Sequence, residues 1–196
     1  MKKKGFTLIE LMVTVTIMMI MTAVVLFNYN QFNENTLLSG FAYDLSLTIR
    51  QAQVYGVATR QGVGDQSAKI DVNNFGGNKF SSAYGVHFDS ETNPPLRLFA
   101  DLNTSYTFDS NEELQSYFFQ RDIKIESLCV KTESPLNCTY TKLDILFKRP
   151  NPEAIITTDS GSIVESPSYA KIVLRDGDGD VRKTVTVYST GQISVQ

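Results

Sequence analysis

Residues 2–11 read KKKGFTLIEL: three lysines, a glycine, then the start of an apolar run that reaches Phe27 and holds a single charge, Glu10. An ionisable side chain within a membrane-length helix costs on the order of 2.5 to 3.5 kcal/mol at the bilayer centre, and less toward its edge. A chain that keeps a carboxylate there needs something to compensate it. From Leu8 to Phe27 is about 20 residues, enough to span roughly 30 Å of hydrocarbon as a helix. The preceding lysines, Lys2 to Lys4, hold the N-terminus in the cytoplasm and place residues 28 onward across the membrane. Two bland readings compete, a cleaved secretory signal and a plain uncleaved anchor. The first wants a shorter apolar stretch and a small-x-small cleavage site, which MIMTAVVLFNYNQ (19–31) lacks.

Working outward, the segment ENTLLSGFAYDLSLTIRQAQVYG (34–56) spaces Leu38, Phe41, Leu45, Ile49 and Ala52 three and four apart, one apolar stripe on a helix. No proline occurs before Pro94. The pattern predicts one unbroken helix from about Thr7 to Tyr55, on the order of 70 Å long, with an apolar half and an amphipathic half. Gly56 reads as its C-cap. Gly40, inside the helix, costs roughly 1 kcal/mol relative to Ala and reads either as a close-packing position or as a tolerated surface glycine.

The remainder is β-rich. Nine Tyr, twelve Phe and many β-branched residues fall in short runs bounded by turn residues: AKIDV (68–72), SAYGVHF (82–88), LRLFA (96–100), IKIESLCV (123–130), LDILFK (143–148), EAIIT (153–157), YAKIVL (169–174), VRKTVTVYS (181–189) and GQISV (191–195). DSNEELQSYFF (109–119) predicts one short helix among them, since Ser110 and Glu113 have capping-box spacing. The expected fold is therefore α+β, a long N-terminal helix packed on an antiparallel β-rich head. Its parts are a leader (1–5), a transmembrane half (6–27), an amphipathic half (28–56) and the head (57–196). At 196 residues, 42% hydrophobic and 20% charged, the composition suits one core plus one anchor.

KKKGFTLIELMVTVTI (2–17) resembles the type III signal of type IV prepilins. The resemblance implies that a prepilin peptidase cuts between Gly5 and Phe6 on the cytoplasmic side and methylates the new Phe6 amine. It further implies that Glu10, roughly 6 Å along the helix from that amine, pairs with the Phe6 amine of a neighbouring subunit docking into a filament. IRQAQVYGV (49–57), LFADLNTSYTFDSNEEL (98–114), LDILFKRPNPEAII (143–156) and KTVTVYSTGQISV (183–195) resemble the GspH/FimT type of pilin-like protein. These are minor pseudopilins of type II secretion and minor pilins of type IV pili, which implies assembly rather than catalysis. The implied partners are prepilin peptidase, other pilins or pseudopilins, and the inner membrane. Major pilins commonly carry a kinking proline in the apolar half, and its absence here points to a minor component.

An alternative within the same resemblance is DNA capture during uptake. FimT-like DNA binders carry a G-R-x-R motif near the C-terminus, but TGQISVQ (190–196) follows Gly191 with Gln192 and has Ser194 in place of the second arginine. The formal charge is −3, and loss of the three leader lysines leaves 15 basic against 21 acidic side chains, or −6. Phosphate binding wants a basic surface, so nucleic acid is not an expected partner.

Three further motifs invite site readings. Cys129 and Cys138 bracket VKTESPLN (130–137); outside the cytoplasm they are expected to form a disulfide, the other reading being two free thiols. In DLNTSYTFDSNE (101–112), Asp101, Asn103, Ser105, Asp109 and Glu112 occupy places one, three, five, nine and twelve of an EF-hand-type calcium loop, with the Thr107 carbonyl at place seven. Tyr106 stands where that loop wants glycine, and LRLFA before it reads as strand, so an Asx-rich turn competes with calcium. No cofactor is otherwise expected. In RDGDGD (175–180) the alternating Asp176, Asp178 and Asp180 invite a metal reading, but no Glu follows at a bidentate distance and Asp-Gly pairs between two strands read as a hairpin turn. His87, the single histidine, reads as a strand residue, and with no catalytic motif in the chain no enzyme activity is expected.

Overall fold

The computed structural model describes residues 5–58, 82–119 and 122–196, the side chains of 27–33 excepted. The expected strand at AKIDV lies outside them. Among the described residues one helix, α1 (Leu8–Val57), precedes ten strands: β1 (Ala83–Asp89), β2 (Leu96–Asp101), β3 (Glu113–Tyr117), β4 (Lys124–Lys131), β5 (Asn137–Tyr140), β6 (Lys142–Lys148), β7 (Asn151–Thr158), β8 (Tyr169–Arg175), β9 (Arg182–Tyr188) and β10 (Ile193–Val195). The fold is α+β with a long N-terminal helix. The chain divides into two compact units, Met1–Leu37 and Leu38–Gln196.

In the first unit, Leu8–Leu26 has a mean hydropathy of 2.3 and none of it is buried. By length and composition it is able to cross a membrane. Side chains apolar on every face suit lipid rather than one core.

The second unit is built from the remaining part of α1 and two five-stranded antiparallel sheets, ordered β3-β2-β1-β6-β7 and β10-β9-β8-β4-β5. Leu38, Ala42, Leu45, Ile49 and Ala52 of α1 are buried with Val86, Phe88, Ile145 and Phe147 of the first sheet and Leu128, Ile172, Val185 and Val187 of the second. The three- and four-residue spacing of the helical stripe and the two-residue alternation of the strands thus point into one core. Phe41, on the stripe's margin, is half-buried and meets Phe119 edge-on at 4.4 Å between ring centroids. The first sheet is covered on its other face too. There Ala83, Phe99 and Leu146 form a second small cluster with Tyr106 and Phe108 from the loop after β2.

Two local expectations are corrected. Residues Glu113–Tyr117 form β3, an edge strand paired with β2, not a helix. Ser110 does not cap it; Glu113 instead meets the Arg97 Nε at 3.4 Å. Pairing along β2 and burial of Leu114 and Tyr117 against the main core outweigh a weak local propensity. Gly56 is within α1 and outside the left-handed region, so it is no C-cap. A Cβ there would overlap the Phe147 carbonyl oxygen of β6, and the Arg149 N–H donates to the Gly56 carbonyl at 3.1 Å. The glycine is required by close approach.

Cys129 in β4 and Cys138 in β5 are joined by a disulfide across a sequence separation of 9. Among the described residues β5 is the outer strand of its sheet and pairs only with β4, through a register shift between Leu128 and Val130. The covalent link therefore secures a strand that few hydrogen bonds hold. Closing so short a loop stabilises by about 2 to 3 kcal/mol. Replacing both cysteines by alanine is expected to lower the melting temperature by roughly 5 to 10 °C; an unchanged melt, followed by circular dichroism, would show that the link adds nothing.

Candidate functional site

The loop from Asp101 to Glu112 folds back on itself through its own polar side chains. Asp101 Oδ1 accepts from the Ser105 N–H at 3.1 Å and Oδ2 from the Tyr106 N–H at 3.3 Å. Asn103 accepts from the Ser105 N–H at 2.8 Å and donates to Asp109 at 2.6 Å. The Ser105 hydroxyl donates to the Thr107 carbonyl at 3.2 Å. Glu112 Oε1 accepts from the Leu102 and Asn103 N–H groups at 2.9 and 3.2 Å. All six positions named from the sequence thus join one hydrogen-bonded loop. Thr104 and Tyr106 take positive φ, 62° and 59°, which turn the chain sharply enough to bring these groups together. For tyrosine that conformation carries strain of order 1 kcal/mol or more. Its ring offsets it by packing on the outer cluster of Phe99 and Leu146, and its hydroxyl accepts from Lys148 Nζ at 3.0 Å.

The electrostatics of this loop are crowded. Burial raises the pKa of Asp101 above its ordinary value despite the N–H groups aimed at it. Burial first, then the neighbouring charges of Asp101 and Asp109, push Glu112 up to about 7. Among the described residues no three His, Cys, Asp or Glu side chains form a metal-binding group on their own.

Beside the loop lies a cleft of about 440 Å³ on the outer face of the first sheet, lined by His87, Asp89, Arg97, Phe108, Lys142 and Asp144 among others. His87 of β1 faces Asp144 of β6 in register, and its Nδ1 lies 2.5 Å from Asp144 Oδ1. Asp144 Oδ2 accepts from the Phe108 N–H at 3.2 Å. The Phe108 ring stacks on His87 at 4.6 Å and lies 5.4 Å from the Arg97 guanidinium carbon. Phe108 therefore ties the loop to the sheet through the buried, hydrogen-bonded His87–Asp144 pair. Burial alone would raise the Asp89 carboxyl, but N–H bonds from Glu91 and Thr92 and the Lys142 ammonium hold it below its ordinary value. Sequence reasoning placed His87 on a strand and missed Asp144. Only strand register brings these two together across 57 residues.

RDGDGD closes the β8–β9 hairpin: Asp176 Oδ1 accepts from the Gly179 and Val181 N–H groups at 2.7 and 3.2 Å, and Gly179 takes φ 82°. Asp176 thus serves the turn.

At the other end of the chain, Thr7 and Glu10 cap α1 reciprocally. The Thr7 N–H and hydroxyl donate to Glu10 Oε2 at 2.9 and 2.8 Å, and the Glu10 N–H donates to Thr7 Oγ1 at 3.3 Å. This is a capping box, T-L-I-E. It gives the odd carboxylate a partner within its own chain, at the head of a helix whose N-terminal dipole favours negative charge. Phe6 beside it is exposed.

The family described as the prokaryotic N-terminal methylation motif matches residues 1–26. This end of the chain is a type IV pilin-like prepilin signal. Neither the curated proteins nor the solved structures offer a match. Within the prepilin signal, Gly5 and Phe6 lie just before α1, and Glu10 falls in its first turn. The prepilin signal implies a substrate of prepilin peptidase that assembles with other pilins, and the apolar helix Leu8–Leu26 fits a membrane anchor.

Proposed function

We propose that this chain is a minor pilin or pseudopilin. It is held in the inner membrane by Leu8–Leu26 with its head outside the cytoplasm, cut between Gly5 and Phe6, methylated on Phe6, and moved into a type IV pilus or type II secretion pseudopilus. Its role there is structural. The observation that carries the reading is the methylation motif over residues 1–26, most of which is the stretch Leu8–Leu26, apolar enough to cross a membrane. The absence of proline from α1 supports the minor role, while Tyr43, Leu47 and Val54, exposed on the part of α1 that belongs to the head unit, support contact with another chain. Exposed large apolar side chains on one element mark a surface that another chain covers.

Expression with an active prepilin peptidase tests it. Mass spectrometry of the membrane fraction is expected to find a chain beginning at methylated Phe6, and immunoblots of sheared filaments to find the same chain at low abundance. Retention of Lys2 to Gly5 beside an active peptidase would overturn the reading.

A further inference from the structure

We infer that the loop from Asp101 to Glu112 is a calcium site, with Asp101, Asn103, Ser105, the Thr107 carbonyl and Glu112 as direct ligands and Asp109 acting through water. The inference does not depend on the filament reading. Two observations carry it. Glu112 is 0% exposed and Asp101 1% exposed, yet among the described residues neither carboxylate takes part in an ion pair. Buried charges are ordinarily paired or bound to a metal. Independently, Glu112 Oε2 is buried and has no hydrogen-bond partner. Its sister oxygen is fixed by the Leu102 and Asn103 N–H groups, so the carboxylate lies against the opening turn of the loop, where the other oxygen ligands gather.

The chemistry suits calcium rather than a transition metal. All the ligands are oxygens, hydroxyl, amide and backbone carbonyl among them, and only Asp101 and Glu112 bring carboxylates directly. Hard, flexible six- to eight-oxygen coordination is the calcium pattern, with the ninth place often acting through water and the twelfth supplying a bidentate glutamate. The sequence objection, Tyr106 at the glycine place, falls away because Tyr106 adopts φ 59°, the conformation that place demands. The loop also presents Phe108 to His87 and Asp144, so a bound cation would hold the outer face of the first sheet in one arrangement.

The test uses the full chain in detergent micelles, freed of divalent ions by chelator and melted with and without about 10 mM calcium chloride. Extracellular calcium modules bind at about 0.1 to 1 mM, which predicts a rise of roughly 3 to 10 °C. Glu112→Gln keeps the shape and the Oε1 acceptor, so its calcium-free melt should not fall, but its calcium response should vanish. Asn103→Ala, at an exposed position, should fold normally and lose most of the response. No calcium shift in the unaltered chain, an equal shift with magnesium chloride, or an undiminished shift in both variants would overturn the site.

Discussion

Glu10→Val is expected to leave membrane insertion and cleavage after Gly5 intact and to abolish entry into filaments. Insertion should be easier, because the substitution removes the one charge from an apolar span and with it a cost on the order of 1 to 3 kcal/mol. Cleavage reads the leader and the Gly5–Phe6 bond, which the substitution does not touch. Assembly is different. On the proposed function, cleavage leaves a positively charged amine at Phe6 that would need a carboxylate in a dry helix bundle; leaving one partner of a buried pair alone costs about 3 to 5 kcal/mol, or more than a hundredfold in assembly equilibrium. The Thr7–Glu10 capping box raises a competing account, that Glu10 serves only to start the helix, which would be a smaller effect of about 1 kcal/mol. Three variants separate the two. Glu10→Gln retains a capping-box residue but no charge, and should fail as Glu10→Val does. Thr7→Val breaks the box but keeps the charge, and should assemble at reduced yield. Immunoblots of sheared filaments read the outcome, with mass spectrometry confirming the cut. Wild-type incorporation of Glu10→Gln would eliminate the charge-pair account and leave capping.

Legibility of this fold in the sequence tracked how local each signal was. The helical stripe from Leu38 to Ala52 and the runs that became β1, β2, β4 and β6 to β10 are set by periodicities of 3.6 and 2, and each lies where its pattern puts it. Capping signals taken without their context failed. S-N-E-E at Ser110 has the same spacing as T-L-I-E at Thr7, yet the first precedes an edge strand and the second starts a helix of 50 residues. The downstream residues make the difference. About twenty apolar residues with no partner strand sustain a membrane-length helix, whereas ELQSY is drawn into pairing along β2. β5 carries no signal of its own, because NCTY is short, polar and largely exposed and depends on its neighbour and the disulfide for its form. The polar loop was legible as a set, since its six positions are close in sequence. The His87–Asp144 pair was not, because register between β1 and β6 is a property of the folded sheet.

The same substitution at two glycines of α1 is expected to act in opposite directions. At Gly40 an added Cβ meets nothing within 4 Å, so Gly40→Ala removes the entropic cost of glycine and stabilises by about 1 kcal/mol, a rise of roughly 2 to 4 °C in melting temperature. At Gly56 the Cβ would overlap the Phe147 carbonyl oxygen and come within 2.7 Å of its carbonyl carbon and 2.9 Å of its Cβ. Those atoms cannot step aside, because β6 is hydrogen-bonded to β1 on one side and β7 on the other and the Phe147 side chain is fully buried. The helix must move instead, against Gln53, whose amide donates to the Pro152 and Gly191 carbonyls at 3.2 and 3.0 Å. Overpacking of this kind costs about 1 to 3 kcal/mol or more, which exceeds the gain in helix propensity, so Gly56→Ala should lower the melting temperature by several degrees. Melts of the two variants beside the unaltered chain read the result, and a shift of the same sign in both would refute the close approach of α1 to β6. Gly40→Ala carries a second reading in filaments. A variant that melts higher yet assembles poorly would place the smallness of Gly40 at a contact with a neighbouring helix, since a small residue lets two helices approach closely; normal assembly would leave it a tolerated surface glycine.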